Sequence, residues 1–188
     1  VFMKNPASVC RHGDTIVIPR VCREGGPQVD YEGELAFEIA RDCRDVPEAE
    51  AMSVIAGYRV ANDVSARWWQ KTGSGGQFCR GKSFDTFCPM TDLVPAGAVQ
   101  DPQDLDIETI LNGQTVQKAN TRLMVFPIRF LVAELSRGMT LLAGTIVLTG
   151  TPAGVGAGRT PPLYLKDGDT VEVRIAKVGH LVNRVREE

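Results

Sequence analysis

The stretch VDYEGELAFEIA, from Val29 to Ala40, constrains the fold of this chain more than any other part of the sequence. Three carboxylates occupy alternate positions: Asp30, Glu32 and Glu34. Three apolar side chains then take the other phase: Leu35, Phe37 and Ile39. Because successive side chains of a strand point to opposite faces, this pattern predicts a strand with one acidic face and one core face.

Two interpretations of the acidic face are open from the sequence. Many antiparallel strands have one solvated face, and the carboxylates would then simply face water. Like charges on neighbouring positions of one face repel, however, and a hard cation would relieve that repulsion. The second interpretation requires further ligands from elsewhere in the chain.

Length and charge exclude several classes of protein. With 188 residues and 20.4 kDa, the chain is long enough for one domain with a sizeable core, and we expect a single domain over residues 1–188. The net charge of −2 gives no electrostatic case for a nucleic-acid partner or an anionic membrane surface. No apolar run approaches the roughly 20 residues that span a bilayer.

The five cysteines indicate a reducing compartment. Their odd number and the absence of a C-x-x-C pair argue against a disulfide framework and against a structural zinc site. We therefore expect a cytoplasmic protein, or one of the mitochondrial matrix if the source is eukaryotic.

Short β-rich segments separated by glycine and proline predict a mainly β protein with a few helices, of the α+β class. The pair Asn112-Gly113 between alternating segments is a strong hairpin signal, because both turn positions tolerate positive φ. Two helices are expected, in VPEAEAMSVIAG, which ends at Gly57, and in FPIRFLVAELSRG, which ends at Gly138. Each segment has a proline near its start and a glycine at its end.

Three later segments carry candidate functional groups. In GYRVANDVSARWWQ, Asp63 lies where an apolar strand meets a short helix, so it is either a helix N-cap or a side chain projecting from the sheet. In GQFCRGKSFDTFCP, Lys82 is either an ordinary surface lysine or a functional one. The loop TGTPAGVGAG allows backbone N–H groups to approach an anion, but Arg159 stands in place of the P-loop lysine and two prolines follow shortly after it. A dinucleotide-binding fold is excluded as well, because the glycine-rich loop comes late in the chain.

The fragments DYEGELA, ANDVSAR with Gln70, GKSFDTFCP, NG and LTGTPAGVG occur in an order and spacing that resemble the fumarylacetoacetate hydrolase family. The resemblance extends from about Phe2 to Val185. It implies a mixed β-sandwich roll, a homodimer, bound Mg²⁺ (or Mn²⁺ or Ca²⁺), and a small keto acid or diketo acid as substrate.

The resemblance also implies roles for eight residues. The metal carboxylates fall on Glu32, Glu34 and Asp63, the active-site lysine on Lys82, the substrate-facing pair on Arg67 and Gln70, and the substrate-binding Gly-Thr on Gly150 and Thr151. Three carboxylates form an all-oxygen site, which suits a hard divalent ion and disfavours zinc.

The family's hydrolases activate water with a His–Glu pair on an N-terminal lid, and neither His12 nor His180 matches that pair. We therefore expect the pair, if the protein has one, in a lid segment before residue 1. The expected activity is metal-dependent C–C hydrolysis of an acylpyruvate or fumarylacetoacetate-like diketo acid. Oxaloacetate decarboxylation and hydroxydienedioate isomerisation or decarboxylation are the alternatives within the family. A non-catalytic binding or scaffold protein is the alternative of another class.

Overall fold

The computed structural model describes all 188 residues and shows the expected mainly β protein with few helices. Its strands are β1 (Val9–Arg11), β2 (Thr15–Ile18), β3 (Val29–Asp30), β4 (Gly33–Ile39), β5 (Ile55–Asn62), β6 (Ser65–Ala66), β7 (Cys88–Met90), β8 (Val94–Pro95), β9 (Asp106–Leu111), β10 (Gln114–Asn120), β11 (Ile146–Leu148), β12 (Thr170–Ile175) and β13 (Gly179–Glu187). Its α-helices are α1 (Arg67–Gln70), α2 (Phe78–Gly81) and α3 (Ile128–Ser136). None of these helices has the length and apolarity that crossing a membrane requires.

The strands form two mixed sheets and one short ribbon, which confirms the predicted fold class. The six-stranded sheet has the order β1-β7-β5-β4-β11, and β8 pairs with β5 beside it. The five-stranded sheet has the order β10-β9-β12-β13-β2, and β3 pairs with β6 alone. The pairs β1 with β7 and β13 with β2 are parallel, whereas the central pair of β4 with β5 is antiparallel.

The main core lies between the two larger sheets. The apolar phase of β4 supplies Leu35, Phe37 and Ile39, each at most 1% exposed. These side chains belong to one cluster with Val173 of β12 and Val132 of α3. The apolar half of the opening sequence pattern is therefore a core face, as predicted.

The acidic half of that pattern is buried as well. Asp30 is 0%, Glu32 7% and Glu34 3% exposed, so the interpretation as a solvated face is wrong. The expected single strand is also split, because Tyr31 and Glu32 connect β3 to β4. Three carboxylates removed from water require partners, and the site described below supplies them.

One of the two expected helices is present. The segment FPIRFLVAELSRG forms α3, which begins after Pro127, as predicted. The segment that ends at Gly57 does not form an α-helix: a 3-10 turn covers Ala51–Val54, and β5 starts at Ile55. Gly57 lets β5 and β8 approach each other closely, because a Cβ atom there would lie 2.2 Å from the carbonyl oxygen of Val94 in β8.

The predicted hairpin is confirmed at Asn112-Gly113. Both residues have positive φ, 50° and 80°, as a two-residue turn between antiparallel strands requires. The turn joins β9 to β10, and the register of β10 shifts between Thr115 and Gln117. This irregularity is a bulge, a feature that redirects side chains at the edge of a sheet.

Gly33, at the start of β4, packs against the second sheet too closely for any side chain. A Cβ atom there would lie 2.1 Å from Thr109 Oγ1 and 3.0 Å from a methyl group of Val173. We predict that Gly33→Ala lowers the free energy of unfolding by about 1–3 kcal/mol, as overpacking does. Urea unfolding measures the change. Gly97→Ala is the matched control, since a Cβ atom there meets nothing within 4 Å; equal losses in the two variants would contradict the prediction.

Candidate active site

The structure brings together the three carboxylates that the family resemblance assigned to a metal: Glu32, Glu34 and Asp63. One oxygen from each of Glu32, Glu34 and Asp63 lies within 4.8 Å of the other two. Asp63 directly follows β5, and β5 pairs with β4 so that Asn62 is opposite Gly33. Two neighbouring strand ends therefore deliver their acidic side chains to one point.

The backbone around Glu32 is fixed from the β5 side. Its N–H donates to Asn62 Oδ1 at 2.9 Å, and its carbonyl oxygen accepts from the N–H of Asp63 at 2.8 Å. Asp63 does not cap the following helix, because the N-cap residue of α1 is Ala66. The N-cap interpretation of Asp63 is therefore wrong, and its side chain points to the carboxylate cluster.

Lys82 lies inside the cluster and is 2% exposed. Its Nζ donates to Glu32 at 2.5 Å and to Asp63 at 2.6 Å. Burial alone would lower the pKa of Lys82, but the charges of Asp63 and Glu32 more than offset that effect and raise the pKa above its ordinary value. Lys82 is therefore not an ordinary surface lysine. Its side chain is an ammonium group at neutral pH rather than a free amine.

A second lysine, Lys4, completes the cationic side of the cluster. Its Nζ donates to the other carboxylate oxygen of Asp63 at 2.6 Å, and also to the carbonyl oxygens of Lys82 and Phe87. Sequence reasoning missed this residue, since a lone lysine in FMKNP, 59 positions from Asp63, carries no local signal. Its low exposure could not be read from the sequence.

Arg67 and Gln70, on α1, lie beside the cluster, and their contact with a substrate stays a prediction. Arg67 Nη2 contacts Glu32 at 2.6 Å, and Nη1 donates to Gln70 Oε1 at 3.0 Å. Nε and Nη2 of Arg67 also donate to Asp30 at 2.9 and 2.7 Å. The guanidinium group thus joins the carboxylate cluster to the strand that precedes it.

Asp30, the first acidic residue of the opening pattern, has a role apart from the cluster. Besides Arg67, its carboxylate accepts the N–H groups of Gly156 at 2.7 Å and Ala157 at 2.9 Å. Gly156 has no room for a side chain there, because a Cβ atom would lie 1.8 Å from the carbonyl oxygen of Leu163. The glycine-rich loop is therefore anchored through Asp30 and not through a bound anion at these two N–H groups.

Glu34 is the one carboxylate of the cluster without a cation bonded to it. Its side chain accepts the N–H of Gly150 at 2.6 Å. Burial, followed by the charges of Asp63 and Glu32, raises the pKa of Glu34 well above its usual value. Negative charge at this point is thus incompletely balanced by the protein's own cations.

The predicted substrate-binding pair, Gly150 and Thr151, lies beside the cluster. Gly150 has a φ of 95°, which favours glycine. The hydroxyl of Thr151 donates to the carbonyl oxygen of Gly33 at 3.0 Å and accepts from Gln117 Nε2 at 2.8 Å. Both residues are engaged by protein partners, and their contact with a substrate stays a prediction.

Both histidines bond outside the cluster. His12 Nδ1 accepts the N–H of Val182 at 3.1 Å, and His180 Nε2 contacts Glu172 Oε1 at 2.5 Å. These contacts agree with the expectation that neither residue matches the family's water-activating pair.

The donor set of the cluster fits a hard divalent cation. All three side chains offer carboxylate oxygens, which Mg²⁺, Mn²⁺ and Ca²⁺ prefer, and no sulfur or imidazole nitrogen contributes to the set. The buried cluster could therefore hold such an ion. The protonated Lys82 beside it suits a negatively charged ligand.

Comparison with known proteins gives the family. A family model described as fumarylacetoacetate (FAA) hydrolase, C-terminal, matches residues 1–186. The chain belongs to the fumarylacetoacetate hydrolase family, a family that contains isomerases, hydrolases and oxaloacetate tautomerases.

Three similar proteins illustrate the range. The mitochondrial oxaloacetate tautomerase fahd2 of Xenopus laevis is 44% identical over 98% of this chain and 57% of that protein. The fumarylacetoacetate hydrolase of Exiguobacterium antarcticum has a TM-score of 0.90 and 43% identity over 100% of this chain and 66% of that one. The maleylpyruvate hydrolase of Sphingobium sp. SYK-6 has a TM-score of 0.87 and 34% identity over 100% of this chain and 64% of that one. The chain therefore spans about three fifths to two thirds of the length of these proteins.

Two arginine–carboxylate pairs with similar geometry allow a test of Asp30. Arg67–Asp30 is 13% and 0% exposed, whereas Arg59–Glu38 is 19% and 20% exposed. We predict that Asp30→Asn lowers the free energy of unfolding by about 3 kcal/mol, since it removes the charge that pairs the buried guanidinium group of Arg67 and turns an NH₂ group toward one of the two loop N–H groups. Glu38→Gln should cost about 1 kcal/mol or less. Urea unfolding of both variants measures the two changes in the free energy of unfolding. Similar losses would count against an anchoring role for Asp30.

Proposed function

We propose that the protein is a divalent-metal-dependent enzyme that interconverts the keto and enol forms of a short 2-keto acid of the oxaloacetate type. The observation that carries the proposal is the buried cluster of Glu32, Glu34 and Asp63 around the ammonium group of Lys82. The 44% identity to an oxaloacetate tautomerase over 98% of this chain supports the choice of substrate.

The three carboxylates would hold Mg²⁺, with Mn²⁺ or Ca²⁺ as substitutes. When bound, the ion supplies positive charge that favours the enolate form of a 2-keto acid. Of the three carboxylates, Glu34 is the one whose negative charge such an ion would stabilise most, because burial and two neighbouring carboxylates disfavour that charge.

The protein's own cations would bind and orient the substrate. Lys82 holds a proton at Nζ and would donate it as a hydrogen bond to the oxygen on which negative charge develops. Arg67 would face a substrate carboxylate, and Gln70 keeps its Nε2 group available because Arg67 takes its Oε1. Gly150 and Thr151 would border the other end of the substrate. A homodimer, which the resemblance implies, remains part of this proposal.

C–C hydrolysis of an acylpyruvate-like diketo acid is the second candidate. The structural likeness to a maleylpyruvate hydrolase, with a TM-score of 0.87 and 34% identity, favours it. Enolate chemistry is common to both reactions, but hydrolysis also needs a group that activates water. The 34% identity to the maleylpyruvate hydrolase is lower than the 44% identity to the oxaloacetate tautomerase, so we rank tautomerisation first.

The function is tested by three assays of the protein with Mg²⁺ or Mn²⁺. We expect faster keto–enol interconversion of oxaloacetate, followed by ultraviolet absorbance of the enol. Release of CO₂ with pyruvate would identify a decarboxylase, and cleavage of an acylpyruvate would identify a hydrolase. Absence of turnover in all three assays would favour the non-catalytic binding protein.

Asp63→Asn tests the metal site. The variant removes one of three ligand charges while keeping the size of the side chain, so we predict that Mn²⁺ affinity and kcat/KM both fall by at least about tenfold. Calorimetry and steady-state kinetics give the two values. Asp85→Asn, an exposed carboxylate in the same region of sequence, is the control and should change neither. Full metal-dependent turnover in Asp63→Asn would refute the assignment.

Lys82→Met separates the role of the ammonium group from that of the metal. Loss of the charge should lower kcat by about 100-fold or more, as removal of a charge-stabilising donor does. Mn²⁺ affinity should stay equal or rise, because the ammonium group competes for oxygens of Glu32 and Asp63. Lys71→Met, at an exposed lysine, should leave both quantities unchanged. An unaltered kcat in Lys82→Met would remove Lys82 from the mechanism.

A further inference from the structure

Gln117 uses both ends of a buried amide to connect two parts of the site. It lies in β10 immediately after the bulge and is 2% exposed. Its Oε1 accepts the N–H of Gly33 at 3.1 Å. Its Nε2 donates to Thr151 Oγ1 and to the carbonyl oxygen of Pro152, both at 2.8 Å. Three of the four hydrogen bonds that a glutamine amide can make are thus formed.

The two parts that Gln117 connects are the metal-ligand strand and the substrate loop. Gly33 lies between Glu32 and Glu34, and its carbonyl oxygen accepts from the hydroxyl of Thr151 at 3.0 Å. Gly33, Thr151 and Gln117 therefore close a ring of hydrogen bonds beside the carboxylates. This ring fixes the position of the loop relative to both glutamates.

Only a side-chain amide satisfies this ring. The N–H of Gly33 needs an acceptor, whereas Thr151 and Pro152 need donors, and one planar group supplies both. A carboxylate lacks the donors, an ammonium group lacks the acceptor, and an alkyl side chain lacks both. The bulge between Thr115 and Gln117 brings the side chain into this position at the edge strand of the second sheet.

We propose that Gln117 is a positioning residue for the metal and substrate site. It acts through Gly33 on the carboxylates of Glu32 and Glu34, and through Thr151 on the loop. It contacts neither metal nor substrate in this role. The inference rests on the proposed function and adds a residue from outside the cluster.

The test compares two glutamines that each use both amide ends, the buried Gln117 and the half-buried Gln103. Gln103, in another part of the chain, donates to the carbonyl oxygen of Thr121 at 2.6 Å and accepts the N–H of Ile128 at 3.0 Å. Gln117→Leu removes three amide hydrogen bonds and Gln103→Leu removes two, but only Gln117 borders the site. Mn²⁺ affinity is measured by calorimetry, and kcat and KM are measured with oxaloacetate.

We expect Gln117→Leu to lower Mn²⁺ affinity and kcat/KM by about 10- to 100-fold, the range typical for groups that orient metal ligands. Gln103→Leu should lower thermal stability and leave both quantities unchanged. Amide hydrogen exchange gives an independent readout: it should become faster at Gly33 only in the first variant, and at Ile128 only in the second. If Gln117→Leu does not fold, Gln117→Asn keeps the amide on a shorter side chain and should show the same losses.

A double-mutant cycle with Thr151→Val tests the ring itself. Effects of Gln117→Leu and Thr151→Val on kcat/KM should be non-additive, whereas those of Gln103→Leu and Thr151→Val should add. Unchanged Mn²⁺ affinity and kcat/KM in both Gln117 variants would overturn the inference, and so would an equal loss in Gln103→Leu. If the wild-type protein neither binds Mn²⁺ nor acts on oxaloacetate, the proposed function is what fails.

Discussion

Three carboxylates buried at one point are the constraint on which the rest of the site depends. Glu32, Glu34 and Asp63 are each at most 7% exposed. Removal of an ion from water costs several kcal/mol even after the protein relaxes, unless opposite charge and hydrogen bonds offset the cost. The fold must therefore bring cations to this point. It does so with Lys82 and Lys4, and with Arg67, which Asp30 and Glu32 share.

The same constraint accounts for three glycines near the cluster: Gly33, Gly150 and Gly156. Gly33 lets the strand between the two glutamates approach the second sheet, and Gly150 turns its N–H toward Glu34. Asp30 then ties the later part of the glycine-rich loop, at Gly156, to Arg67. The backbone and the charged side chains thus form one hydrogen-bonded unit that holds the carboxylates within 4.8 Å of one another. In our account, a divalent cation supplies the remaining charge balance.

The sequence predicted those parts of the fold and of the site that depend on local patterns. The alternation of acidic and apolar residues predicted that Leu35 and Phe37 face the core, although it did not predict the break between β3 and β4. The Asn112-Gly113 pair predicted the hairpin.

The parts that it did not predict depend on contacts distant in sequence. Lys4 reaches Asp63 across 59 positions. The pattern of the segment before Gly57 predicted a helix. In the structure the end of this segment belongs to β5, where the β-branched Ile55 is opposite Ile39 of β4. Pairing within a sheet outweighs helix propensity there.

The most direct measurement of the central claim is anomalous diffraction from crystals of the protein grown with Mn²⁺ and oxalate, a mimic of the pyruvate enolate. Our account predicts one strong peak within about 2.0–2.6 Å of a carboxylate oxygen of each of Glu32, Glu34 and Asp63, with oxalate on the side of Arg67 and Lys82. A cluster without a peak, with Glu32 and Asp63 paired only with Lys4, Lys82 and Arg67, would contradict the account.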